Sequence, residues 1–253
     1  MRIDILTLFP EMIEGVFNSS ILKRAIEAGY LEINIHDFRL FSKDKNHKVD
    51  DYTYGGGAGM LIRVDPVCDC LKSIPGYKEA HKLITTPTGK VFNQDMAKLF
   101  SSKEHIIIIC GHYEGIDDRI LNYIDEEVSI GDYVLTGGEL AACIIVDATS
   151  RLIEGVLGNN ESSQTETFDD NLLEYPQYTR PVEYDGYKVP DVLISGHHEN
   201  IRKFRRYESL KKTYLKRPEL IEKASLTKED LKMLEEIKSK NLLDCKWFET
   251  KII

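Results

Sequence analysis

The chain has 253 residues, 42% hydrophobic and 30% charged, with a formal net charge of −9. That length suits one large domain or two modest ones, and the acidic balance argues against a general nucleic-acid binder. No apolar run approaches the roughly 18 residues that a membrane helix needs. The five cysteines are odd in number and lack a C-x-x-C spacing, which excludes a disulfide framework and points to a reducing cytoplasm.

The first segment, Met1 to Pro10, carries an acid at Asp4 and ends its apolar run at Pro10. It is too short and too charged for a secretory signal and reads as a strand at 3–8. Helices follow at 11–17 and 20–28, then a strand at 31–35. A long polar loop at 42–59 closes with Tyr54-Gly-Gly-Gly-Ala-Gly59, which lacks the Lys-Ser/Thr of a phosphate loop. Further elements are a helix at 66–73, a strand at 82–86, a helix at 94–100, a strand at 106–110, a helix at 117–123, a strand at 128–135 and a helix at 139–150. Such alternation predicts an α/β domain with a largely parallel sheet. Cys110 and Cys143 lie in apolar runs and read as packed core. The histidines show no metal spacing, so no metal site is expected.

The character changes near Gly158. Residues 159–167 contain no apolar side chain and read as an exposed linker. Tyrosines and prolines follow, then a helical remainder. The expected division is a domain at 1–158, a linker at 159–173 and a smaller helical domain at 174–253. Between Gly196 and Arg217 stand eight Lys/Arg against two Glu. Arg202, Lys203, Arg205 and Arg206 fall within a turn and a half, interleaved with Phe204 and Tyr207. The run reads either as a phosphate-binding face or as a solvated one.

Three Gly-containing segments each follow an expected strand: 85–90, 111–115 and 136–139. Ligands of parallel α/β sheets bind beyond the carboxyl ends of the strands. The adjacent Gly137-Gly138 opens either a tight strand-to-helix turn or a close approach for a ligand.

Several segments together resemble the bacterial tRNA (guanine-N1-)-methyltransferase family, which methylates guanosine-37 beside the anticodon. They are Leu8-Phe-Pro-Glu-Met12, Val49-Asp-Asp51, Tyr54-Gly-Gly-Gly-Ala-Gly-Met60, Gly111-His-Tyr-Glu-Gly-Ile-Asp117, the stretch 129–140, Arg151-Leu-Ile-x-Gly-Val-Leu-Gly158, Tyr175-Pro-x-Tyr-Thr-Arg-Pro181 and Leu193-x-Ser-Gly-His-His198. They occur in family order over nearly the whole chain. The resemblance implies a SPOUT-class α/β domain with a parallel sheet and a deep C-terminal trefoil knot, plus a smaller helical C-terminal domain. It further implies a cytoplasmic homodimer with its active site at the subunit interface, tRNA as substrate, S-adenosyl-L-methionine as methyl donor, and a dependence on Mg²⁺.

By motif match, Thr86, Pro87 and Gly89 line one wall of the cofactor site. Gly111, Tyr113 and Glu114 form a second, and Ile130, Gly131, Tyr133, Leu135, Gly137 and Gly138 a third. Asp50, Gly196 and His197 match family positions toward the tRNA, beside the four cations named above. Arg151 matches the family's catalytic Arg. The family's Glu-Asp-Ser-Phe reads here Thr165-Glu-Thr-Phe168, so Glu166 takes the place of the catalytic Asp, with Asp169 and Asp170 near by as substitutes. Ala141, Glu154 and Thr53 also stand where the family has Pro. These departures keep two other readings open: a divergent paralogue that binds tRNA and cofactor with weak or no transfer, and a SPOUT methyltransferase acting on another RNA.

Overall fold

The computed structural model describes residues 1–157 and 170–249, with side chains through residue 240. The chain divides into two compact units, Met1–Asn160 and Glu161–Ile253.

The first unit is built on a five-stranded sheet. Its strands are β1 (Arg2–Thr7), β2 (Glu32–Asp37), β5 (His81–Val91), β6 (His105–Cys110) and β7 (Glu126–Ser129), in the order β2-β1-β6-β5-β7. All four pairings are parallel. The run of four isoleucines in β6 is buried on both faces, as a central strand covered by helices on each side requires. One core layer joins Ile3, Ile5, Ile106 and Ile108 to Phe100, Ile145 and Val146. The other joins Leu6, Ile107 and Ile109 to Val67, Leu71 and Phe38. The covering helices are α1 (Glu14–Phe17), α2 (Ser20–Glu27), α3 (Val64–Ser73), α4 (Gln94–Ser101) and α5 (Glu139–Ser150). Helix α4 is capped where the sequence suggests, by the Asn93 side chain accepting from Met96 N at 3.0 Å. Cys110 and Cys143 are core residues; burial raises both thiols, Cys143 to about 11.

Four expectations need correction. The helix expected at 11–17 is broken into a 3₁₀ turn, Pro10–Met12, and the single turn of α1. The segment at 117–123 is a 3₁₀ helix, Asp118–Tyr123, whose start is held by the Asp117 side chain accepting from Arg119 N. The loop at 42–59 hides a strand, β3 (Asp50–Tyr52), paired antiparallel with β4 (Met60–Ile62); three-residue strands leave too little periodicity to read. The strand expected to run to Leu135 ends at Ser129. Gly131, at φ 144°, turns the chain out of the sheet, with Ser129 Oγ accepting from Gly131 N at 3.2 Å.

The second unit comprises the hairpin β8 (Glu183–Tyr184) and β9 (Tyr187–Lys188) and the helices α6 (Asp191–Ile194), α7 (His198–Lys216), α8 (Pro218–Ile221) and α9 (Lys228–Glu249). Its core gathers Leu172, Leu210, Leu234 and Ile237. Leu172, placed by the sequence reading in the linker, is thus part of this unit's packing.

Candidate cofactor cleft and active site

At the carboxyl ends of β5, β6 and β7 lies a cleft of about 410 Å³, within the usual range for small-molecule sites. Its first wall differs from the expected loop. Residues 86–89 form an arch inside β5, because Thr85 and Lys90 both pair with Val128. Pro87 cannot donate to a ladder and stands where the ladder is interrupted. Thr86 and Thr88 join hydroxyls across the arch at 2.9 Å. Gly89 does not line the cleft. It brings the arch back against the sheet, where a Cβ would come within 2.5 Å of the Glu127–Val128 backbone.

The second wall is the segment after β6, with Gly111, His112, Tyr113 and Glu114 on the lining. Its far side is stitched to β4: Ile62 N donates to Gly115 O at 3.0 Å and Asp117 N to Ile62 O at 2.9 Å. Gly59 packs so closely on Glu114 that a Cβ would lie 2.2 Å from its Cγ. The Gly-rich loop therefore backs the cleft wall.

The third wall follows β7. Ile130, Gly131, Tyr133 and Leu135 lead to the Gly137-Gly138 turn, all on the lining. Tyr133 folds over Gly131, where a Cβ would meet its ring at 2.6 Å. Gly138 N donates to Gly111 O at 2.8 Å, and His112 bridges Gly137, so the second and third walls are joined by backbone. Behind the turn, Glu139 begins α5 with a fully buried side chain. Its Oε1 accepts from Thr7 Oγ1 at 2.7 Å, and a Cβ on Gly137 would lie 2.3 Å from Oε2 and 2.4 Å from the His112 ring.

The charged groups on the cleft lining are Glu114, Asp118 and Glu127; among the described residues no Lys or Arg joins them. That field repels phosphates and favours a cationic ligand. A ligand with a positive charge and a flat ring suits this lining, which offers carboxylates for the charge and backbone and glycine for the ring.

Arg151 is not at this cleft. It caps the far end of α5, thirteen residues beyond Gly138, roughly 20 Å at 1.5 Å per residue and longer than an arginine side chain. Glu166 and Asp169 lie outside the described residues. Asp170 is paired with Arg206 at 2.6 Å. Asp50 opens β3 and is nearly buried. Gly196, at φ 74°, and His197 precede α7 in the second unit, so the residues expected to face tRNA are divided between the two units.

A sequence profile described as "tRNA (Guanine-1)-methyltransferase TrmD" matches residues 1–223. The chain belongs to this family. Curated relatives named tRNA (guanine-N(1)-)-methyltransferase include one from Dictyoglomus turgidum, 52% identical over 94% of this chain and 97% of the relative. Another, from Clostridium perfringens strain SM101, is 54% identical over 92% and 99%. A third, from Clostridium botulinum strain Hall, is 52% identical over 95% and 100%.

The three Gly-containing segments expected beyond the strands all contribute to the cleft lining. His112 and Thr88 lie within those segments, whereas Glu127 and Asp118 on the lining, and Thr7 and Glu139 beneath it, were not singled out as site residues. One signal for Glu139 was available: a carboxylate opening a helix directly ahead of the apolar run 140–146.

Proposed function

We propose that the chain is an S-adenosylmethionine-dependent methyltransferase acting on N1 of guanosine-37 in tRNA, as a homodimer in the cytoplasm. The observation that carries this reading is the acidic cleft, built from three segments joined at Gly111, His112, Gly137 and Gly138 and free of cations among the described residues. We assign those segments to the crossings of the trefoil knot. No helix among the described residues is long and apolar enough to cross a membrane.

Guanine N1 bears a proton and is a weak nucleophile. A carboxylate must take that proton as N1 attacks the methyl carbon, and a cation must stabilise the negative charge that grows on O6. We assign the first role to Glu166, with Asp169 as the substitute, and the second to Arg151. Asp170 is already held by Arg206, so its carboxylate is engaged within its own unit. When bound, S-adenosylmethionine supplies the methyl group on a sulfonium, so a neutral thioether leaves. The target base must be extruded from its stack to reach the methyl.

Arg151 standing a helix length from the cleft of its own chain supports the dimer. The outward stripe of α5 exposes Leu140 and Ile144, each nearly half accessible, as an unpartnered helix face does. A second copy packed there would bring one subunit's Arg151 to the other's cleft. Mg²⁺ belongs with the RNA in this reading. Magnesium keeps its waters and favours phosphate oxygens, and among the described residues no His/Cys/Asp/Glu group could hold a metal.

Isothermal titration with S-adenosylmethionine, paired with a methylation assay on unmodified tRNA, tests the proposal. Stoichiometric binding heat and transfer are expected; absence of cofactor heat would sink it.

A further inference from the structure

The cations of α7 are not equivalent. Arg202 is paired with Glu199 at 2.9 Å and Glu229 at 3.3 Å, and Lys203 reaches the same two carboxylates at 3.6 and 3.9 Å. Arg206 is forked onto Asp230 at 2.8 and 3.0 Å and reaches Asp170 at 2.6 Å. Three of the four positive charges that the sequence offers for phosphates are thus neutralised within the unit. Arg205 makes no ion pair among the described residues. Its guanidinium carbon lies 4.9 Å from the centre of the Tyr175 ring.

Arg205 and Tyr175 stand together on a second cleft, also of about 410 Å³, with Leu172, Leu173 and Ile201 as apolar lining and His198 beside them. The segment carrying Tyr175 is fixed from behind. Ser209 Oγ donates to Leu173 O at 2.6 Å, Leu173 N donates to Thr213 Oγ1 at 2.8 Å, and Lys212 Nζ donates to Glu174 O at 2.9 Å. The aromatic ring and its cation are therefore held in place before any ligand arrives.

We infer that this cleft receives an unstacked base of the tRNA's single-stranded loop, with the Tyr175–Arg205 pair as its stacking platform. The inference rests on the tRNA-methyltransferase reading above and adds a second base-binding site to it. A phosphate is the poorer occupant: it would meet Asp170 and Glu174 on the same lining, and of the three arginines there Arg202 and Arg206 are already ion-paired. A base has apolar faces that suit the leucine and isoleucine lining, and single-stranded RNA is commonly held by stacking on aromatic rings and guanidinium planes.

The test uses the full-length dimer, an unmodified tRNA transcript and S-adenosylmethionine. Tyr175→Ala and Arg205→Ala should each weaken tRNA binding and raise the KM for tRNA roughly tenfold or more, with the cofactor heat of wild type. Tyr175→Phe, which keeps the ring, should recover most of what Tyr175→Ala loses. The salt slope of tRNA binding should be unaltered in Tyr175→Ala. Affinity within twofold of wild type in Tyr175→Ala, or a phosphate-type loss of salt slope confined to Arg205→Ala, would overturn the assignment. Should Tyr175→Ala fold poorly, wild-type protein decides: 4-thiouridine placed through the anticodon loop should photocrosslink to peptides holding Tyr175 or residues 198–209. Crosslinks found only elsewhere would contradict it. A wild type that neither binds cofactor nor methylates tRNA is a failure of the function proposed above. An active wild type with a neutral Tyr175→Ala is a failure of this site alone.

Discussion

At the scale of single residues, Gly138 and Glu166 carry the sharpest consequences. A Cβ on Gly138 would fall 2.0 Å from Thr85 Oγ1 and 3.0 Å from both the Cys110 Cα and the Gly111 N. Thr85 can rotate its hydroxyl away, but the other two atoms are backbone at the end of the central strand. Gly138→Ala should therefore spread the second and third walls and weaken S-adenosylmethionine binding at least tenfold by titration calorimetry, while the fold survives. Glu166 poses a different question, since it has the family's acid with one more methylene. Reacting geometry is sensitive to displacements of that size. If the site has adapted to Glu, Glu166→Asp lowers kcat by one to two orders of magnitude; a large rise from a near-zero rate would instead mark the natural site as impaired.

At the scale of elements, long and strongly patterned segments were legible. The helix α5 was read with its observed ends, because Gly138 precedes Glu139 and the apolar run 140–146, and polar Thr149 and Ser150 follow before Arg151. The arch in β5 was not legible. Thr85 to Lys90 reads as a loop, and only pairing with Val128 on both sides reveals an interrupted strand. The basic stretch shows the same limit. Its charges are plain in sequence, but their partners Glu229 and Asp230 lie on another helix, at a separation no local pattern encodes. Asp230 is the keystone of that pairing: almost fully buried, it accepts from Arg206 and from Thr227 at the start of α9. Removing it leaves Arg206 half-buried with Asp170 alone. Asp230→Ala should cost about 3 kcal/mol, seen as a lower denaturation midpoint with cofactor binding retained.

At the scale of the whole molecule, two carboxylates set its response to acid. Burial works to raise Asp4, but hydrogen bonds from His36, Arg2 and His105 outweigh it and hold its pKa near 2. Asp230 is likewise held near 2 by Arg206 and Thr227. Both values lie below the ordinary 3.8. The stability they contribute is therefore complete above about pH 4 and is lost as pH falls toward 2. Melting temperature should drop steeply below pH 4, and an Asp230→Ala variant should drop less over that range.

Assembly is the other property at this scale. If Arg151 of one subunit serves the cleft of its partner, as proposed, Arg151→Ala alone should lose at least a hundredfold in kcat with cofactor binding intact. Mixing it with Gly138→Ala should regain about a quarter of wild-type activity, since half of randomly mixed dimers carry one intact site of two. No recovery on mixing would place Arg151 and the cleft within one chain.

The central claim is that an acidic cleft on a parallel sheet delivers a methyl group to guanine N1 of tRNA. Nucleoside analysis of unmodified tRNA, incubated with the protein and S-adenosylmethionine carrying a labelled methyl group, tests it most directly. The account predicts label in 1-methylguanosine, one per tRNA, at the position 3′ to the anticodon. Label in another nucleoside, or tight cofactor binding with no label in tRNA at all, would contradict it.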